Sequence, residues 1–322
     1  MINRRHLRIK VMQILYSLNA ANSKPKELLK ILDERSLKFY LLFITYLLLF
    51  RDLKKEFTKK EKIVSKKNFN NDSKLIRDLV IKNQFLSFLN KSKTLEKIKI
   101  KYDIKIWDEN HHLIERLFKK IFESKFFNEF SYKENSIVDQ RVFIISVFKI
   151  YIINDDSIYQ FFEDSELGWV DDFPLINSLF LNYLKSFTFT KDDEIPLKIY
   201  GDKEDKKYAN KLFKIVLKND DELNSLIEKF TPDWENERIA NLDLIIIKMC
   251  ICEFMYFPSI PVRVSMNEYV EISKDYSSPE SGKFINGVVN NILKDLDPQN
   301  GSLFLSKHHY IEQNDRSQNN EG

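Results

Sequence analysis

Glycine scarcity constrains this chain more than any other feature: there are 6 glycines and 8 prolines in 322 residues. Glycine supplies the positive-φ positions that tight turns need, so a fold built from many hairpins has too little material here. No alternating run bounded by hairpin turns stands out either, and no repeat of fixed period. The apolar residues recur instead at the helical period. Leu7, Val11, Ile14, Leu15 and Leu18 make one face of a helix predicted over 3–21. The expected fold class is therefore all-α. Hydrophobic residues make up 43% of the chain, enough for a substantial core, and 26 Phe with 14 Tyr predict that much of it is aromatic.

The same period predicts further helices along the chain. One covers 25–53, with a break near 33–36. The Lys/Asn-rich stretch 54–108 reads as helical with a link near 66–73. Helices follow at 109–130, 137–153 and 173–187, then a polar connector over 191–206. A helix over 206–218 turns Tyr208, Leu212, Phe213, Val216 and Leu217 inward, and Asp220 or Asp221 is placed to cap the next. Thr231-Pro232-Asp233 reads as an N-cap followed by proline at the first helical position. The apolar helix 242–256 is stopped by Pro258 and Pro261. Ser265 and Glu268 have the spacing of a capping box, with Val264 and Tyr269 placed for the accompanying staple. Ser278-Pro279-Glu280 opens a last helix, and beyond Pro298 the chain is polar.

Net charge is only +3, but its distribution is uneven. Residues 1–26 carry Arg4, Arg5, Arg8, Lys10, Lys24 and Lys26 and no acid, and lysines dominate 51–105. A basic segment can meet an anionic surface even on a nearly neutral chain. Cys250 and Cys252 lie two apart on one apolar helix and point in different directions, so they read as buried thiols in a reducing compartment. The opening residues show no secretory h-region, and the apolar run 39–50 is shorter than the ~18–20 residues a bilayer span needs. It reads as a buried helix, with an interfacial anchor as the alternative, and the expected location is the cytoplasm.

No residue set suggests catalysis. His111-His112 with Glu115 could offer metal ligands, but adjacent histidines diverge on a helix and no HExxH or paired CxxC completes a site. His308-His309 lies in the polar tail. Phosphate-cradling glycine motifs are missing from the sequence. The expectation is a protein that is not an enzyme and needs no cofactor.

On a helix, Arg4 and Arg8 lie one turn apart with Arg5 beside them, forming a stripe expected to stand clear of the Leu7/Val11/Ile14 face. Forked guanidinium groups suit the phosphates and bases of single-stranded RNA. Arg4-Arg5-His6-Leu7-Arg8, followed by Val11-Met12-Gln13-Ile14-Leu15-Tyr16, resembles the opening helix of the NusB family. The resemblance continues in order through Trp234, Glu237-Arg238-Ile239, Leu242-Asp243, Ile247-Lys248 and Cys252-Glu253-Phe254. It ends through Ile260-Pro261-Val262, Asn267-Glu268, Glu271-Ile272-Ser273-Lys274 and Lys283-Phe284-Ile285-Asn286-Gly287-Val288.

That resemblance implies a helical bundle of two small subdomains, here with a long helical insertion after the first helix. The expected layout is a basic first helix over 1–24, the insertion over 25–200, a C-terminal helical domain over 201–297 and a polar tail over 298–322. It also implies a transcription antitermination factor that binds boxA-type RNA together with the ribosomal protein NusE, in ribosomal RNA transcription, and reaches RNA polymerase indirectly. Arg5 and Arg8 fall at RNA-contacting arginine positions, with Arg4 on the same stripe. Phe284 matches an aromatic at the RNA surface, flanked by Glu280 and Lys283, and Tyr16 and Asp243 match positions near the shared RNA and NusE surface. Asn286-Gly287 reads as a close helix approach, and Lys248 stands where the family has arginine. Modules of this kind also precede RNA methyltransferases, but no glycine-rich cofactor domain follows here. The alternative reading is a helical interaction scaffold of NusB architecture that has lost RNA binding.

Overall fold

The computed structural model describes residues 3–19, 25–66, 70–130, 135–170, 172–188, 195–196, 200, 203–231 and 239–296. In chain order the helices are α1 (Arg4–Asn19), α2 (Pro25–Lys66), α3 (Asn70–Ile76), α4 (Gln84–Lys91), α5 (Lys93–Lys101), α6 (Ile106–Glu109), α7 (His111–Phe122), α8 (Lys125–Glu129) and α9 (Ile137–Val147). They continue as α10 (Asp156–Ser165), α11 (Leu167–Val170), α12 (Phe173–Ser186), α13 (Lys203–Lys218), α14 (Asp220–Phe230), α15 (Asn241–Tyr256), α16 (Val262–Tyr276) and α17 (Ser281–Leu296). Two π-helical turns, Arg77–Ile81 and Phe148–Ile153, extend α3 and α9. The fold is all-α, and no helix among the described residues is long and apolar enough to cross a membrane.

Several boundaries differ from the sequence reading for clear reasons. The expected break at 33–36 does not occur. Helix α2 runs through it, because Leu32, Ser36 and Phe39 keep one face buried without interruption. The helix expected over 109–130 is interrupted after Phe122, where Ser124 turns its hydroxyl onto the Phe127 amide and starts α8. The residue before α14 is Asn219, which makes no side-chain cap, so Asp220 and Asp221 lie in the first turn instead. The capping box at Ser265 is absent as well. Helix α16 begins at Val262 after Pro261, and Val264 is exposed. The Thr231-Pro232-Asp233 start and Trp234, Glu237 and Arg238 lie outside the described residues, apart from Thr231.

The chain divides into two compact units. One comprises Arg35–Ile199, and the other Ile2–Glu34 with Tyr200–Gly322. The first has the aromatic core that the composition suggests. Phe43, Tyr46 and Phe50 on α2 meet Phe148 and Phe180 with ring centroids 5.1–6.3 Å apart, with Phe43 and Tyr46 edge to face, and Phe148 and Phe180 meet each other at 4.7 Å. Two of the larger rings find hydrogen-bond partners: Tyr46 donates to Asn177 Oδ1 at 2.7 Å, and Trp107 Nε1 to the Thr45 carbonyl at 2.8 Å. In the second unit α1 packs on α13 and α15, α15 on α16 and α17, and α14 on α17. Helix α15 is apolar nearly all round, and Ile245–Ile251 are buried without a gap. It is the central rod of this unit. Cys250 and Cys252 on it are free and buried.

Candidate nucleic-acid interface

Helix α1 starts with a reciprocal cap. The Asn3 side chain accepts from the His6 amide at 3.1 Å, and the Asn3 amide donates to His6 Nδ1 at 3.0 Å. This is a capping box with a neutral imidazole where glutamate or glutamine usually sits. Burial, with Arg5 and Lys10 nearby, lowers the His6 pKa to about 4. In the unfolded chain the imidazole takes its proton near pH ~6.5. The stability it contributes is therefore complete above that pH and lost as pH falls toward 4. Glutamine keeps the reciprocal bond without titrating. His6→Gln is therefore expected to lose less melting temperature than the parent protein between pH ~6.5 and ~4 in a thermal-melt series. Equal losses in the two proteins would remove His6 from the cause.

The expected stripe of three arginines is split by the fold. Arg4 is exposed, 3.5 Å from Asp205, with its guanidinium carbon 5.3 Å over the Tyr208 ring. Arg5 is partly exposed and reaches Asp275 near the end of α16 at 3.1 Å. Arg8 faces inward and is only 3% exposed. Its Nε donates to Glu253 Oε2 at 2.9 Å and its Nη2 to Glu253 Oε1. The same carboxylate accepts from Tyr208 and Tyr269 on one oxygen and from Ser265 on the other. Helices α1, α13, α15 and α16 thus meet on one buried carboxylate. Burial on its own raises the Glu253 pKa, but the Arg8 fork and the Ser265 and Tyr208 hydroxyls outweigh it and hold it below the usual carboxylate range. The expectation that Arg8 lies on an RNA-facing surface is corrected: its five-donor head is taken up inside the unit.

Asp243 is also placed differently from the sequence reading. It is 5% exposed and sits in the first turn of α15. The Ser277 hydroxyl donates to Oδ1 at 2.6 Å and the Ser281 hydroxyl to Oδ2 at 2.7 Å. Ser281 is also 2.9 Å from Ser278. The carboxylate thereby fixes the turn between α16 and α17 from within. On that turn and the following helix, Glu280 and Lys283 are exposed and Phe284 is half-buried. Tyr16, on α1, is 51% exposed. Gly287 does not mediate a close approach, since a Cβ there would meet nothing within 4 Å. Gly282 is the glycine that faces α16, with Ser273 and Lys274 atoms 3.5 Å from where its Cβ would be.

Several of the other candidates are engaged by ion pairs or hydrogen bonds. Lys248 joins Asp220 at 2.6 Å, on the first turn of α14. Among the lysines of 54–105, Lys54 is buried, donates to the Ile81 carbonyl and Ser87 hydroxyl, and has its pKa lowered to about 8 by burial and by Lys91. Lys55 and Lys59 pair with acids on α2, and Lys82 pairs with Asp78 in the π-helical turn before it. His111 and Glu115 do acquire a third possible ligand, the Glu56 carboxylate, with all three ligand atoms within 4.8 Å of one another. The ammonium of Lys59 already sits 2.6 Å from the Glu56 oxygen that faces His111, so we assign this cluster as an ion-pair network.

Sequence reasoning assigned no role to Glu253, although a lone glutamate in the apolar 242–256 run is itself a signal. A buried carboxylate needs a partner.

Residues 2–34 and 200–296 therefore form a helical module whose basic first helix is clamped onto a C-terminal bundle by a buried arginine–glutamate pair. The NusB family model matches residues 179–294. The transcription antitermination protein NusB of Salinibacter ruber is 42% identical over 92 residues, which are 29% of this chain and 58% of that protein. The protein of the same name from Koribacter versatilis is 40% identical over 98 residues, 30% of this chain and 67% of that protein. That from Bacillus subtilis is 40% identical over 82 residues, 26% and 63% of the two chains. The chain belongs to the NusB family. It spans a little over half the length of the first of these curated relatives, and no solved structure matches it.

Proposed function

We propose that this chain is a transcription antitermination factor that binds boxA-type single-stranded RNA together with NusE, acts in ribosomal RNA transcription, and reaches the RNA polymerase elongation complex through that assembly. The observation that carries this reading is the ion pair from Arg5 on α1 to Asp275 on α16, beside the serine-tied turn that leads to Glu280, Lys283 and Phe284. The first and last helices thus offer a guanidinium, an ammonium and an aromatic ring around the end of α16. Cations hold phosphates, the ring stacks an unpaired base, and these two roles supply positioning and choice. Arg4 extends the cationic side, and Tyr16 is an exposed aromatic suited to a protein partner. No bond is made or broken in this role, and no cofactor is required.

The test is a titration of labelled boxA-type RNA and of a scrambled RNA, each with and without purified NusE. Saturable binding that favours boxA supports the reading. The alternative scaffold role draws on one observation, that Arg8 and Asp243 are engaged inside the protein. NusE binding with no RNA preference would select it.

A further inference from the structure

Helix α13 carries Lys203, Lys207, Lys211, Lys214 and Lys218, all exposed. At about 100° per residue these five fall within an arc of about 80° and extend about 22 Å along the helix axis. No acid lies within that arc. Glu204 borders it and pairs with Lys207 at 2.7 Å. Lys211 donates to the Tyr256 carbonyl and lies over the Phe257 ring. Lys203, Lys214 and Lys218 make no ion pair among the described residues. Like charges three and four residues apart destabilise a helix, whereas a mixed glutamate–lysine face stabilises it. A face that served only solubility would not need such self-repulsion.

The position of this face adds to the argument. Helix α13 packs directly on α1, and Arg4 contacts Asp205 and Tyr208 in its first turns. The lysine row therefore begins at the same end of α13 as the Arg4 contacts, around the helix from Asp205 and Tyr208, and runs toward the other end. At its far end α14 opens with Asp220, paired to Lys248, and with the exposed acids Asp221 and Glu222, whose charge disfavours a polyanion.

We infer that the α13 lysine row is a phosphate track that carries the RNA strand onward from Arg4 and stops at the acidic start of α14. The inference rests on the RNA-binding reading above. The track holds the sugar–phosphate backbone and reads no bases, so it adds affinity and salt dependence but no sequence preference.

The experiment uses the full chain with NusE, the four-site variant Lys203→Gln/Lys207→Gln/Lys214→Gln/Lys218→Gln, and labelled single-stranded RNAs. One RNA is a boxA core of about 12 nucleotides, and the others extend it to about 24 on either side. Lys211 is left in place because of its contacts with α15 and Phe257. The parent protein should bind one extended RNA about tenfold more tightly than the core. The variant should lose that gain and lower the log–log salt slope by about 2–3, at roughly 0.7 per phosphate contact, while binding the core as before. Equal affinity and slope for parent and variant on both extended RNAs would overturn the track while leaving core recognition standing. A variant that loses NusE affinity but no RNA affinity would overturn it in favour of a protein contact. If the parent protein does not distinguish core from scrambled RNA, the underlying RNA reading fails, and the track with it.

Discussion

Arg8→Ala is expected to destabilise the protein by about 3–5 kcal/mol, because it strands a fully buried carboxylate without its cation. Glu253 is 0% exposed and has no water to turn to. The remaining hydroxyl donors, Ser265, Tyr208 and Tyr269, cannot neutralise its charge. For a unit of this size the melting temperature should drop on the order of 10 °C or more. Arg8→Lys should recover only part of the loss, since an ammonium cannot fork onto both oxygens. The defect also has a pH signature. In the parent protein the lowered Glu253 pKa contributes stability that is full above the ordinary carboxylate range and lost as pH falls through the lowered value. In Arg8→Ala the buried carboxyl is better off protonated, so the gap between parent and variant should narrow on acidification. Calorimetric melts from pH ~7 to ~3 measure both effects. A variant as stable as the parent at neutral pH would refute the structural role of the pair.

The second large effect is on RNA. Arg5→Ala combined with Phe284→Ala is expected to weaken boxA binding severely without comparable damage to the fold. Loss of a stacked ring costs about 1–3 kcal/mol, and loss of one phosphate contact lowers the salt slope by about 0.7 on a single strand. Neither side chain is fully buried. Titrations at several salt concentrations, with a melting curve of each protein, separate binding from folding. Unchanged affinity and slope would remove the first and last helices from RNA recognition. Arg8 makes a poor third member of such a set. Its replacement would lower binding by loosening α1, and the melting curve would show it.

These two predictions mark what the sequence does and does not reveal. The helical class follows from glycine scarcity and apolar period, and α15 is visible as an apolar run between prolines. Element ends were less legible. The expected capping box at Ser265 fails because that hydroxyl is drawn to Glu253 on another helix. The treatment of Arg8 as exposed was a misreading of the helix itself. At about 100° per residue Arg8 lies only about 20° from Leu15 and about 60° from Val11, inside the apolar arc. What cannot be seen along the chain is the partner, which lies 245 residues away. The resemblance puts Asp243 at a partner-binding position, and its burial is not visible along the chain because its two serine donors come from a turn beyond the next helix. Charge rows are more legible: the α13 lysines are visible at once on a helical wheel.

The arginine–glutamate pair joins α1 to the bundle through side chains rather than through a short connecting loop. The length of chain between the two then matters little: closing a longer tether costs only about 0.6 kcal/mol for each doubling. A complete second unit, Arg35–Ile199, occupies that interval. The interior ionic clasp makes the passage from α1 to α13 a permissive site, where the length of the intervening sequence does not set the geometry of the module.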